Sequence, residues 1–251
     1  MKCKYLIIIA LLALVSCTKK ETTKIVANHG YWKNQEVSKG SESSLKKAEK
    51  LGCHYAKYDV YLTKDNVLII ANSDEIKANI SESSYSDIKS VTMANNETIL
   101  TLSEILKMVK DMDINLELEL KNIPKDKTEN TVKRLARFIN SNEVAHKINL
   151  SSTSLSVCKQ YTQLLPESNI FFRQSSHENV TLQDIKKHNL TGVYYDNAYL
   201  RANTNLINES KSLGIQICVY NTYMDEDILF FIGQDVDYIN TDKPDVAMKM
   251  I

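Results

Sequence analysis

The 251-residue sequence predicts an α/β chain of the TIM-type (β/α)8 barrel class, and three observations lead there. From Lys24 to the C-terminus, short β-branched and aromatic runs alternate with helical stretches, and they count as eight βα units. About 235 residues remain once a leader segment is set aside, close to the roughly 250 usual for such a barrel. A doubly wound open sheet is the main competitor, but the turn after the first strand carries no Gly-x-Gly-x-x-Gly.

The leader, residues 1–16, reads as an address. Lys2 and Lys4 form a basic start, and Tyr5 to Ser16 is an apolar run too short to span a bilayer as a helix. It ends Leu14-Val15-Ser16-Cys17, which resembles a bacterial lipobox, so cleavage before Cys17 and lipidation of its sulfur are expected. An ordinary signal peptide with an incidental cysteine is the alternative. Residues 17–23 are then the lipidated cysteine and a polar tether, and 24–251 the barrel. Thr18, not Asp, follows Cys17. The expected location is the cell envelope, held by the Cys17 lipid at the outer membrane or cell surface, with the membrane itself as a partner.

The elements follow in order. Lys24–Ala27 is a strand ending at Asn28-His29-Gly30. Ser41 to Leu51 has helical spacing and stops at Gly52. Tyr55–Thr63 is a strand, Lys64-Asp65-Asn66 a turn and Val67–Ala71 a second strand. Helix is expected at Leu102–Met112, with Thr101 or Ser103 as N-cap, and strand at Ile114–Lys121. Four further pairs run helix then strand: Asn130–Asn140 and Lys147–Ser152, Leu155–Leu165 and Asn169–Arg173, Leu182–His188 and Gly192–Asp196, Asn205–Leu213 and Ile215–Asn221. Asp225–Ile232, Tyr238–Thr241 and Asp245–Ile251 close the chain as helix, strand and helix.

Composition narrows the partners. With 31 basic and 31 acidic residues there is no net field to draw nucleic acid, and no basic stripe carries interleaved aromatics. Beyond Cys3 and Cys17, the cysteines are Cys53, Cys158 and Cys218, an odd number inside regular elements. They read as small buried thiols rather than a disulfide or metal framework.

The strand from Tyr55 holds the chemistry. Lys57 and Asp59 lie two apart, on one face, and buried strands seldom carry inward charges without a partner or a use. A half-exposed edge strand with a solvated ion pair is the competing reading. In a barrel the C-terminal strand ends carry the active groups, and here they include Asn28-His29, Asp59, Glu119 to Lys121, Ser151-Ser152, Asp196, Tyr220-Asn221 and Thr241-Asp242.

Four segments together resemble the glycerophosphodiester phosphodiesterase family. They are Ala27-Asn28-His29-Gly30-Tyr31-Trp32, Lys57 to Ile70 with its Asp59-Val60-Tyr61-Leu62-Thr63-Lys64-Asp65, Leu118-Glu119-Leu120-Lys121, and Asp237 to Pro244. The resemblance implies a TIM barrel with a divalent metal, often calcium or magnesium. It also implies cleavage of glycerophosphodiesters to glycerol phosphate and an alcohol, with two histidines as acid and base.

The departures carry as much weight. Where the family reads A-H-R-G, this chain has Asn28 at the first catalytic histidine and His29 at the arginine. The second histidine falls on Asn72, and the first metal carboxylate of E-x-D falls on Lys57, while Asp59, Glu119 and Lys121 remain. Amides do not titrate near neutral pH, and loss of proton transfer costs on the order of 10²–10⁴ in rate. A lysine among the carboxylates disfavours a divalent cation, so no cofactor is expected, and Lys57 is expected to pair with Asp59 and Glu119 in the metal's place. The alternative has Lys57 turned to solvent and the carboxylates titrating upward.

The sequence therefore leads to a barrel of this family with impaired or absent hydrolysis, binding a phosphate- or polyol-bearing ligand or a protein partner. The competing reading is an active phosphodiesterase built on His29 and a water. Lys121 is the expected anion contact, and Trp32, Tyr31 and Tyr220 an expected aromatic wall. Asn221 and Asp242 are expected to hold loops. His54, His146, His177 and His188 are read as surface residues, and Tyr194-Tyr195 as strand packing.

Overall fold

The computed structural model describes residues 23–72, 76, 79–90, 93 and 96–251. The leader, Cys17 and nearly all of the tether lie outside the described residues. Eight parallel strands close into a barrel: β1 (Lys24–Asn28), β2 (Tyr55–Leu62), β4 (Asn115–Leu120), β5 (Ile148–Ser152), β6 (Asn169–Arg173), β7 (Gly192–Asp196), β8 (Gln216–Tyr220) and β9 (Tyr238–Thr241). The ring is closed by β1, which pairs with both β9 and β2. This is the expected class, with strand boundaries within two residues of those read from the sequence. The open-sheet competitor is excluded by that closure.

β3 (Leu68–Ala71) stands outside the ring and runs antiparallel to the upper half of β2, so the turn at Lys64–Asn66 makes a hairpin. Thr63 fixes that turn, its backbone N–H bonding Val67 O and its Oγ1 bonding Asp65. The segment after β3 has its own small core of Tyr61, Ile69, Ile76, Ile80, Ile88 and Ile99.

Helices surround the ring: α1 (Glu42–Leu51), α2 (Tyr85–Lys89), α3 (Leu102–Lys110), α4 (Thr128–Ser141), α5 (Leu155–Leu164), α6 (Leu182–Lys187), α7 (Asn197–Ala202), α8 (Asn205–Leu213), α9 (Asp225–Gly233) and α10 (Pro244–Ala247). Two were not legible as helical repeats. α2 is a single turn set by a Ser84/Asp87 capping box, and α7 is started by Asp196, whose carboxylate accepts from the N–H groups of Ala198 and Tyr199. α10 is shorter than the expected Asp245–Ile251. Among the described residues no helix is long and apolar enough to cross a membrane.

Both faces of each strand are used, as in any parallel barrel. Ile25, Ala27, Ala56, Tyr58, Val60, Leu116, Leu118, Phe172 and Val219 face outward into the main core with the helices. Inside the ring lies a smaller aromatic set of Tyr55, Phe171, Tyr194 and Tyr238. Phe171 meets Tyr194 and Tyr238 edge to face, with centroids 5.3 and 5.5 Å apart. This plug fills the lower barrel and leaves the polar residues for the mouth. Cys53, Cys158 and Cys218 are buried free thiols.

Candidate functional site

The edge of β2 is shared by two partners, and that step shapes the site. β1 stops at Asn28, opposite Lys57, and β3 takes the same edge from Asp59 upward, with Ala71 opposite Asp59. Asn28 and Asn72, far apart in sequence, therefore flank the Lys57–Asp59 stretch from one side. β4 occupies the other edge and sets Glu117 opposite Lys57 and Glu119 opposite Asp59. Alternation turns all four charged side chains into the ring.

Lys57 is only 4% exposed. Its Nζ donates to Asp59 Oδ1 at 2.6 Å and lies 3.3 Å from Glu119 Oε2. Lys121 Nζ, above it, donates to Glu119 Oε1 at 2.7 Å. Burial opposes each of these charges, and the partners outweigh it. The lysine pKa is raised by Asp59 and then Glu119, and the Asp59 and Glu119 carboxyls are held low chiefly by Lys57. A solvated edge pair is not what forms, and Lys57 is not turned to solvent.

A divalent cation does not suit this donor set. It needs several oxygen ligands and net negative charge, whereas the inner oxygens of Asp59 and Glu119 are taken by an ammonium that brings a positive charge.

His29 follows β1 in the left-handed region, φ 58°, tied by its N–H to Lys57 O and by its carbonyl to Gly40 N and Ser44 Oγ. The imidazole is buried, with Nε2 4.0 Å from Asp59 Oδ2. Burial and the Lys57 charge push its pKa down to about 3, so it is neutral at physiological pH and a poor proton acceptor. Asn28 Nδ2 donates to Asp242 Oδ1 at 2.8 Å, and the Asn28 carbonyl accepts from Trp32 Nε1 at 3.1 Å. Asp242 and Asn221 do hold loops: Asn221 Nδ2 donates to Asp196 and its Oδ1 accepts from Tyr223. Asn72 is buried at the end of β3.

The aromatic residues do not form one wall. Tyr31 packs against the helix–strand core, Lys39 Nζ sits 5.3 Å above the Trp32 ring, and the face of Tyr220 carries the Arg173 guanidinium at 3.7 Å. His54 is half-buried, its Nδ1 accepting from Ile25 N, so it is not a surface histidine. Tyr194 does more than pack, since its hydroxyl donates to Glu117 Oε2 inside the barrel.

Two charged groups of the site were missed from sequence. Arg173 is the last residue of β6, and the strand-end rule that picks out Asp59 and Glu119 applies equally to it. Glu117 is fully buried, two residues before Glu119 on the same face, and also accepts from Ser151 Oγ at 3.2 Å. Burial pushes its carboxyl up to about 7.

Comparison with known proteins agrees with this architecture. No curated protein matches the chain closely enough to count as a relative. Among solved structures it is similar to a glycerophosphodiester phosphodiesterase from Parabacteroides distasonis, at 26% identity and TM-score 0.85 over 92% of this chain and 97% of that one. It also resembles in fold an Oleispira antarctica phosphodiesterase in complex with the product sn-glycerol-3-phosphate, at 17% identity and TM-score 0.80 over 91% and 96%. A Thermotoga maritima glycerophosphodiester phosphodiesterase aligns at 16% identity and TM-score 0.75 over 92% and 99%. A sequence profile of the glycerophosphoryl diester phosphodiesterase family matches residues 39–246, most of the barrel, and the chain belongs to that family.

Proposed function

We propose that this barrel binds the glycerophosphodiester class its family acts on, with hydrolysis impaired or absent and no divalent metal at the centre. The carrying observation is Lys57 Nζ, hydrogen-bonded to Asp59 and ion-paired with Glu119. It supplies positive charge beneath the ligand without a metal, and Lys121 adds a partly exposed second ammonium at the mouth. Asn28 and Asn72, at the positions the family resemblance gives to the proton-transferring histidines, offer hydrogen bonds but move no proton. The Cys17 lipid, on the sequence reading, would hold the domain at the envelope surface, where glycerol-phosphate headgroups are met.

A second reading keeps the hydrolysis and gives His29 the proton. It is favoured by the approach of Nε2 to Asp59, 4.0 Å, and opposed by the low pKa of the imidazole. The full-length protein should be tested on a panel of glycerophosphodiesters with calcium, magnesium or chelator, beside H29A. The expected result is turnover at least about 10²-fold below an active family member in all three conditions. Turnover that depends on metal would overturn the Lys57 argument. Metal-independent turnover abolished by H29A would establish the second reading.

A further inference from the structure

The proposed ligand needs a group to grip its phosphoryl oxygens, and Arg173 is placed for that. The side chain is 16% exposed, at the end of β6. Its guanidinium carbon lies over the Tyr220 ring, 3.7 Å from the centroid, which seats the head group at the mouth. Its Nη1 is 3.7 Å from Glu119 Oε2, beyond hydrogen-bond length, and that buried nitrogen has no hydrogen-bond partner among the described residues. Glu119 Oε1 accepts from Lys121, while Oε2 takes no hydrogen bond and has Lys57 Nζ at 3.3 Å as its nearer cation. Structural arginines in a barrel interior normally satisfy their donors on carboxylates or carbonyls.

Charge points the same way. Lys57, Lys121 and Arg173 meet only Asp59 and Glu119 at this level. Glu117 lies one step deeper, engaged by Tyr194 and Ser151, while Asp196 and Asp242 at the rim are engaged by Asn221 and Asn28. One cation is left for an anion entering the mouth, and it is the planar, two-pronged one that matches a phosphate edge.

We propose that Arg173, seated on Tyr220 and flanked by Lys121, is the phosphoryl-binding residue of a metal-free subsite that takes phosphate esters. This rests on the reading of the barrel as a glycerophosphodiester binder, and supplies the anion contact that a metal would otherwise make. A guanidinium so placed serves diesters, monoesters and inorganic phosphate through the same oxygens, so the ligand panel must separate them.

The test is calorimetric titration of the full-length protein in chelator with glycerophosphocholine, sn-glycerol 3-phosphate and inorganic phosphate. Wild type, R173Q and R173K are compared, with folding checked by circular dichroism. Wild type is expected to bind at least one phosphate ester, R173Q at least about 10-fold more weakly, and R173K in between, because it keeps the charge and loses the fork. Displacement of the ester by inorganic phosphate in wild type would mark the phosphoryl group as the part held. R173Q binding as wild type does would overturn the assignment and leave the binding function standing. Wild type binding none of the three would overturn both. If R173Q does not fold, R173K decides: unchanged affinity overturns the assignment, and a loss of about 3-fold or more upholds it.

Discussion

At the scale of single residues, Lys57, Asp59 and Glu119 tolerate burial because each faces an opposite charge. Glu117 differs from them, a fully buried carboxyl whose bonded neighbours are neutral hydroxyls. In the unfolded chain it ionises near its ordinary value of 4.5, and in the fold near 7. Between those limits the folded protein keeps a proton that the unfolded chain has released. Its stabilising contribution is therefore complete below pH 4.5 and is lost as pH rises to 7. His29 runs the other way: its pKa falls from 6.5 to about 3 on folding, so its share is present above 6.5 and is lost as pH falls toward 3. The two oppose each other in mildly acid solution, and a single stability profile would hide both. The difference between wild type and E117Q isolates the glutamate. E117Q should gain on wild type by on the order of 3 kcal/mol between pH 5 and pH 8, read from urea unfolding at each pH. A flat difference would mean that Glu117 is ionised throughout.

At the scale of elements, the loop between β1 and α1 is the tightest-built part of the mouth. Gly30 has φ 78°, and a Cβ there would lie 2.4 Å from Ser44 Oγ and 2.7 Å from both the Ser44 carbonyl carbon and the Tyr58 hydroxyl. Backbone and buried side chain cannot both yield. G30A should cost about 2 kcal/mol or more in urea unfolding and weaken ligand binding, since the same turn carries Asn28, His29 and Trp32. An unchanged midpoint would show that α1 can shift away. Sequence reached this loop through its motif, and reached α3 and α6 through helical spacing, with Thr101 one of two candidate caps for α3; the Thr181 cap of α6 is seen only in the structure. It could not reach the step in β2, because pairing partners are a property of the closed ring. The placement of Asn28 and Asn72 on one edge of Lys57–Asp59 is visible only after β3 folds back. The strand-end position of Arg173 was legible, but its role depends on Glu119 and Tyr220, which two other strands bring to it.

At the scale of the whole molecule, the barrel and the chemistry at its mouth are separable. The strand count, the buried aromatic plug and the helix shell follow from hydrophobic pattern, and the family model matches residues 39–246. On the function proposed above, what sets this chain apart rests on Lys57, Asn28 and Asn72, all carried on the C-terminal side of the ring, so the scaffold should accept the residues that the family resemblance gives for those positions. In K57E the Asp59, Glu119 and new carboxylates would form an oxygen-rich, negatively charged set of the kind calcium or magnesium prefers. K57E should therefore unfold at a higher temperature with calcium than with chelator, whereas wild type should show no difference. Adding N28H and N72H to K57E should raise metal-dependent glycerophosphodiester hydrolysis by about 10² or more over K57E alone, since proton transfer is then available on both sides of the diester. If K57E takes up calcium and the triple variant stays inert, any loss of chemistry lies beyond these three positions. If K57E ignores calcium, the carboxylates of Asp59 and Glu119 are spaced for an ammonium and not for a metal, and the barrel has been reshaped around Lys57 itself.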